Sequence, residues 1–201
     1  MLGLPANTEL NKQLPKTAIY TKFQMNTSEK AKIDEDISRI AIVNEISPAR
    51  VHIEPGKEIS SFFVLLVTLK RRDFSEKTII TLSKLIPQNM VLVLSYEKEA
   101  KLAVYHTKVI QTQWLPLDQL TLELKGLDLD KVWENAIVQI GGIQMESGNT
   151  LDQQIEEDER KARLQKEIAR LEKLARAEKQ PRKKFELVSQ ANVLKRQLSE
   201  M

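Results

Sequence analysis

An uninterrupted apolar run near the middle of the chain constrains the fold most. Residues 62–67 read FFVLLV, inside a segment, Lys57–Lys70, that is rich in β-branched and aromatic residues. Such a run lacks the polar alternation of a half-buried strand, so it predicts a central β-strand that is covered on both faces. A chain with a strand of this kind needs helices or a second layer to bury it.

Two hairpins and three helices are predicted around this strand. Arg50–Glu54 alternates and Pro55-Gly56 is a turn signal, which predicts a first hairpin with Lys57–Lys70. Met90–Tyr96 and Lys101–Val109 predict a second hairpin, which Gln111–Leu115 prolongs. Apolar spacing and polar caps predict helices over Ser28–Asn44, Thr78–Ile86 and Lys131–Ile140. Prolines at 5 and 15 break the N-terminal segment into short turns that pack on the core.

The C-terminal segment shows helical periodicity from Leu151 onward. Leu164, Ile168, Leu171 and Ala175 step by four, three and four, as do Leu187, Ala191, Leu194 and Leu198. Pro181 separates the two stripes. This pattern predicts a helical hairpin or a kinked helix whose stripes pack on each other, on the core or on a partner.

The predicted fold class is therefore α+β. We expect a mixed or antiparallel sheet of two hairpins with packed helices, followed by a C-terminal helical hairpin or short coiled coil. A 201-residue chain has room for one ordinary core and an appendage. The expected domains are an α+β core over residues 1–145 and a charged helical tail over residues 146–201, joined through the glycines and polar residues of 141–149.

Composition excludes several kinds of site. The chain has no cysteine, which removes disulfides, thiolate metal sites and cysteine nucleophiles. His52 and His106 do not form a ligand-like pair, so no metal site and no cofactor is expected. No apolar run approaches the ~18 residues of a membrane helix, and the first residues do not resemble a secretory signal. We expect a cytoplasmic protein without a membrane partner.

Charge is concentrated in the tail. Residues 1–150 hold 18 basic and 18 acidic side chains, whereas the segment from Arg160 to Lys184 holds 11 basic and 3 acidic ones. Lysines and arginines in such a segment can contact phosphates, although a solvated or protein-contacting helix face is the alternative. The candidate nucleic-acid-binding residues are Arg170, Lys173, Arg176, Lys179, Arg182, Lys183 and Lys184, with Arg160 and Arg163 before them. The aromatic Phe185 lies beside two of these lysines, where it could stack on a base.

The apolar strand also suggests a catalytic alternative. Nucleases of PD-(D/E)xK-like type place one acid on a strand and Glu-x-Lys on the next, so that the carboxylates hold a divalent ion. Glu58 or Glu54 is the candidate acid and Lys70 the candidate lysine, but Thr68 occupies the position where the second acid belongs. A hydroxyl cannot supply a carboxylate's charge, so we expect no metal-dependent activity. The strand is then either a central strand whose last lysine meets solvent, which we favour, or part of a nuclease-like scaffold without activity.

Four stretches of the sequence carry a resemblance: the opening LGLPANTELNKQLPK, the central KEISSFFVLLVTLK, the segment KGLDLDKVWENAIVQI and the tail LEKLARAEKQPRKKFELVSQANVLKRQL. Together they resemble a bacterial family of domains of unknown function whose members are encoded beside DNA methyltransferases and helicases of restriction-modification type. The resemblance implies a genomic neighbourhood and carries no active site. It favours an accessory or interaction subunit of a DNA-modification or defence assembly, with a methyltransferase or helicase subunit as protein partner and nucleic acid as a further partner. A metal-dependent nuclease is the alternative function.

Overall fold

The computed structural model describes residues 2–201 and divides the chain into two compact units. The first ends at Ile143 and the second spans Gln144–Met201, whereas the sequence places this boundary between residues 145 and 146. The first unit combines a mixed sheet with helices, and the second is helical. The α+β class predicted from the sequence is confirmed.

The first unit contains seven strands and five α-helices among the described residues. In chain order they are β1 (Glu9–Leu14), α1 (Lys16–Lys22), α2 (Thr27–Asp36), β2 (Ile37–Ile46), α3 (Pro48–Val51), β3 (Phe62–Leu69), α4 (Glu76–Leu85), β4 (Asn89–Tyr96), β5 (Glu99–Tyr105), β6 (Val109–Gln111), β7 (Leu115–Pro116) and α5 (Leu129–Gly141). Short 3₁₀ turns occupy Ala6–Thr8 and Leu117–Gln119.

The sheet runs β1-β2-β3-β4-β5-β6, and β7 also pairs with β5. Every pair is antiparallel except β3 and β4, which are parallel and are joined through α4. A parallel pair requires such a crossover, because a tight turn reverses the chain direction. Because β3 has β2 on one side and β4 on the other, it lies in the interior of the sheet, as its apolar sequence predicts.

The two faces of β3 are not buried evenly. Phe62 and Val64 are fully buried on one face, while Val67 and Leu69 are buried on the other. Phe63, Leu66 and Thr68 are only partly buried, so the prediction of complete cover on both faces is wrong at these positions. α2 and α4 cover the face of Leu65, Val67 and Leu69, and Trp133 of α5 packs 5.1 Å from the Phe62 ring on the other face.

The helix predicted over Ser28–Asn44 is confirmed only in its first half. α2 ends at Asp36, and the next ten residues form β2 between β1 and β3. Register shifts between Ile37 and Arg39, and between Ile42 and Asn44, interrupt the strand's alternation. A bulge adds one residue to the strand, so Ile33, Ile37 and Ile40 repeat at helix-like intervals although the last two are in a strand.

The first predicted hairpin is also wrong. Arg50–Glu54 contains the end of α3 and a single parallel bridge from Glu54 to Asp128, and β2 is the antiparallel neighbour of β3. The N-terminal segment forms the edge strand β1 and helix α1 rather than turns alone. His52 follows α3 and His106 follows β5, so neither lies within a strand. The second hairpin is confirmed as β4 and β5, and the last two helices as α4 and α5.

The second unit consists of two helices, α6 (Leu151–Ala177) and α7 (Pro181–Ser199). Ile168, Leu171 and Ala175 of α6 are buried, as is Ala191 of α7. Only three residues link α6 to α7, so the two helices form an antiparallel pair, and Lys195 of α7 bonds to Glu172 of α6 at 2.7 Å. The predicted stripes thus pack on each other in a helical hairpin. Within residues 2–201, no helix is both long enough and apolar enough to span a membrane.

Candidate nucleic-acid interface

The solvent face of α6 carries a row of basic side chains. Successive residues on an α-helix are 100° apart, so Arg163, Lys166, Arg170 and Lys173 share one face, roughly opposite the stripe of Ile168, Leu171 and Ala175. All four are exposed. The row covers ten residue steps, which is about 15 Å of helix. Lys166, which the sequence analysis did not select, belongs to this row because its position on the helix places it there.

The turn between the two helices extends the positive surface. Lys179, Arg182, Lys183 and Lys184 are exposed, and the side chain of Arg182 is 93% accessible. The last three lie in the first turn of α7, which has no acidic residue and no side-chain cap. Because a helix N-terminus is itself positive, basic residues there are unfavourable unless an anion lies nearby.

The ion pairs on this surface are long and exposed. The pairs Arg170–Glu167, Arg176–Glu172 and Arg182–Glu186 have N–O distances of 3.7, 3.8 and 3.5 Å. Such pairs stabilise a helix by only a few tenths of a kcal/mol and do not hold the arginines in place. Lys195 differs, since its bond to Glu172 lowers the pKa of that carboxyl and joins the helices. The cations on the outer face are therefore available to a polyanion.

The opposite charge is found at the start of α6. Asp152, Glu156 and Asp158 lie in its first turns, where carboxylates favour the positive end of the helix dipole. Lys161 is paired with Glu146 at 2.9 Å and lies at the edge of the acidic part. A phosphate backbone would be repelled there, so the basic surface is limited to residues 163–184.

The two candidate nuclease residues lie at opposite ends of β3. Glu58 precedes the strand and Lys70 follows it, and the eight residues of β3 alone span roughly 26 Å at the usual rise. The structure does not bring them together. The backbone N–H of Glu58 donates to the carboxylate of Asp130, as do those of Lys57 and Ile59. These bonds, that of Ile59 above all, lower the pKa of Asp130 despite a smaller opposing effect of burial. They clasp the loop before β3 to α5.

Lys70 nevertheless has acids beside it. Its ammonium donates to the backbone oxygen of Asp34, whose carboxylate is bonded to Lys16 and Tyr20. The bond from Lys16, followed by that from Tyr20, lowers the pKa of Asp34. Each charge near Lys70 thus has a partner. Among residues 2–201 there is also no group of three or more His, Cys, Asp or Glu side chains that could hold a metal ion.

A buried carboxylate lies next to this pair. Asp36, 2% exposed, accepts hydrogen bonds from Thr78 at 2.6 Å, from Arg71 at 2.6 and 3.0 Å, and from the backbone of Ser75 at 3.3 Å. Burial acts to raise the pKa of Asp36, but these bonds outweigh it and the net shift is downward. The network ties the end of α2 to the start of α4. The role of this network is therefore structural.

A cluster of aromatic rings and cations occurs around Trp114, which the sequence analysis did not detect. Lys101 Nζ lies 4.9 Å from the centre of the Phe74 ring and 5.2 Å from that of Trp114, and Arg72 lies 5.4 Å from the latter. Burial lowers the pKa of Lys101, with a smaller opposing effect of Glu76. Phe185 is therefore not the only aromatic residue with basic neighbours.

The cluster is satisfied within its own unit. Lys101 donates to Gln111 at 2.7 Å, and Arg72 pairs with Glu99 at 3.1 Å. Its cations therefore already have close partners, whereas the ion pairs of the arginines on α6 are longer, at 3.7 and 3.8 Å. Phe185 is 75% exposed on α7 and directly follows the exposed Lys183 and Lys184.

Comparison with known proteins identifies one family, whose function is unknown. No curated protein and no solved structure matches the chain. A family model described as "Domain of unknown function (DUF4391)" matches residues 2–198, which is nearly the whole chain. The chain belongs to this family.

Proposed function

We propose that this chain is an accessory protein that contacts nucleic-acid backbones through the outer face of its helical hairpin. The observation that carries the proposal is the unbroken basic row of Arg163, Lys166, Arg170 and Lys173, continued by the exposed cations of the turn. No acidic side chain interrupts the row itself, because Glu167 lies at its edge and Glu172 lies about 100° around the helix from Lys173.

The chemistry of this face suits phosphates rather than bases. Lysine and arginine heads neutralise phosphates and release condensed counterions, which makes binding steeply dependent on salt. Sequence is recognised by groups that reach base edges, and the row offers only cations. We therefore expect binding that is weak and indifferent to sequence, with a Kd in the range of about 10⁻⁴ to 10⁻⁶ M.

The larger setting is part of the proposal and rests on the sequence resemblance. In it, the protein acts in the cytoplasm, a compartment that suits a chain without cysteine, as a subunit of a DNA-modification or defence assembly. A methyltransferase or helicase subunit would be its protein partner.

A fluorescent DNA duplex titrated at several salt concentrations tests the proposal. The test variant replaces Arg163, Lys166, Arg170 and Lys173 with glutamine. We expect weaker binding and a log-log salt slope lower by about 3.6, since each of the four lost contacts removes about 0.9. The melting temperature should change little, because exposed charges contribute little to folding.

A matched control removes the same number of positive charges from the first unit. It replaces Lys12, Lys57, Lys98 and Lys125, which are exposed, with glutamine. This control should keep most of the affinity and slope. Equal losses in both variants, or no binding by the intact protein at low salt, would contradict the proposal.

A protein partner could not dock on the apolar stripe of α6, which the sequence offers as one possible contact surface. Leu171 is 5% exposed and packs within the hairpin, so Leu171→Asp would disrupt the hairpin itself. The apolar side chains that remain accessible on α7 are Phe185, Val188 and Val193, at 75, 41 and 56%. Capture of a partner that is lost in Phe185→Ser and kept in the glutamine variant would favour protein docking.

The second candidate is a metal-dependent nuclease, and the presence of Asp34 beside Lys70 favours it. Against it, Asp34 is engaged by Lys16, and Glu58 is at the other end of β3. We expect no cleavage of single- or double-stranded DNA with Mg²⁺ or Mn²⁺. Cleavage that disappears in Lys70→Ala and Asp34→Asn would establish the nuclease.

A further inference from the structure

A crevice in the first unit lies between α1 and the sheet. Its volume is about 290 Å³, and it is formed where α1 crosses the strands β2, β3 and β4. Ile19, Leu65 and Met90 are buried at its base, with exposures of 6, 3 and 4%. Phe23, Ile42 and Phe63 surround it and remain partly exposed.

The crevice follows from the shape and anchoring of α1. This helix has only seven residues, and one side of it is tied to Asp34 through Lys16 and Tyr20. Ile19 is the buried residue of α1, whereas Ala18 is exposed where it lines the crevice, and its methyl group is too small to close the crevice toward solvent. The cover that α2 and α4 give to Leu69 does not extend to this end of the face.

In the described part of the chain, the crevice has one charged group, and its charge is positive. Of the described residues that line it, Lys22 alone is charged, and Gln88 supplies an amide. Lys22 is exposed and forms no ion pair within residues 2–201; its ammonium lies 5.4 Å from the centre of the Phe23 ring. Gln88 likewise has no hydrogen-bond partner among the described residues. Ligand sites typically combine an apolar lining with a few polar groups that fix orientation.

We propose that this crevice binds a small apolar carboxylate, with its hydrocarbon part between α1 and the sheet and its carboxylate at Lys22 and Gln88. A space of 290 Å³ holds roughly ten non-hydrogen atoms at about 30 Å³ each. This limits the ligand to a medium-chain fatty acid or an aromatic acid of similar size. The site lies in the first unit and is independent of the proposed nucleic-acid interface.

Sodium octanoate is the probe, and octylamine of equal chain length is the charge-reversed control. Titration into ¹⁵N-labelled protein should shift the amide signals of Ala18, Lys22 and Gln88 with octanoate, and much less with octylamine. Lys22→Gln should weaken octanoate binding about two- to fivefold, as an exposed ion pair does. Lys12→Gln removes an exposed lysine that does not line the crevice and should leave binding unchanged.

Ala18→Leu is the second test, since it fills the crevice without adding charge. It should abolish the octanoate shifts while keeping or raising the melting temperature. Absence of shifts at about 10 mM octanoate overturns the proposal. Equal shifts with octanoate and octylamine would show an apolar surface without selection for a carboxylate, as expected for docking of a partner's side chain, and would also overturn it.

Discussion

Removing the buried carboxylate of Asp36 should destabilise the first unit far more than removing its exposed neighbour. Glu35 and Asp36 both pair with Arg71, at 2.8 and 2.6 Å, but their side chains are 60 and 2% exposed. Each alanine substitution therefore removes one carboxylate partner of Arg71, in one case an exposed carboxylate and in the other a buried one. This makes Glu35→Ala a matched control for Asp36→Ala.

The expected magnitude follows from the partners that Asp36→Ala leaves behind. Thr78 is 4% exposed and would lose the acceptor of its 2.6 Å bond, which leaves a buried hydroxyl unsatisfied at about 1 to 3 kcal/mol. Ser75 N–H loses a longer bond, and Arg71, 46% exposed, can turn to water. We expect a loss of about 3 kcal/mol in the free energy of unfolding, near the lower range for breaking a buried pair. Glu35→Ala should cost less than about 1 kcal/mol.

Urea unfolding followed by tryptophan fluorescence measures this difference. Trp114 and Trp133 are the only tryptophans in the sequence, and both belong to the first unit, so the signal is independent of the helical hairpin. A loss of about 3 kcal/mol corresponds to a midpoint lower by about 1 to 3 M urea. Equal midpoints for the two variants would refute the argument that burial gives Asp36 its weight.

Three further outcomes test the architecture of the first unit. Leu65→Asp places an unpaired charge at a position 3% exposed and should abolish the cooperative fluorescence transition. Gly56→Ala would bring a Cβ atom to 2.1 Å from the carboxylate of Asp130, so it should lower the melting temperature, whereas Lys57→Ala keeps the loop's N–H groups and should not. Because the pKa of Asp36 and that of Asp130 are lowered in the folded state, their stabilisation is present above the unfolded value of about 3.9 and should be lost as pH falls below it, as acid titration of fluorescence would show.

Elements whose signals are local are the ones that the sequence predicted well. α4 has Ser75 as its cap, with a hydrogen bond to Lys77, and α5 has Asp128 bonded to Lys131. The hairpin of β4 and β5 depends on a turn two residues long. In each case the stabilising contacts lie within a few positions in sequence, where spacing and capping rules apply.

The errors occur where distant segments decide the structure. β2 is a strand because β1 and β3 pair with it on both sides, and its bulges give it apolar spacing like that of a helix. The loop before β3 is held by Asp130, more than 70 positions away in the sequence, rather than by a hairpin partner. Neither the pairing of β2 nor the bonds to Asp130 produce a pattern among neighbouring residues of the sequence.

The same distinction explains which candidate functional residues could be found. The crevice, the Asp36 network and the Trp114 cluster each combine side chains from separate elements, so spacing along the chain gives no sign of them. The basic row of α6 lies on one helix, and its periodicity is visible once the packed stripe is known. The three cations in the first turn of α7 add a second local sign, since they oppose the helix dipole at a position where an acid would stabilise it. Glu186 pairs with one of these cations, Arg182, only at 3.5 Å, and an anion bound at this surface would supply the missing charge.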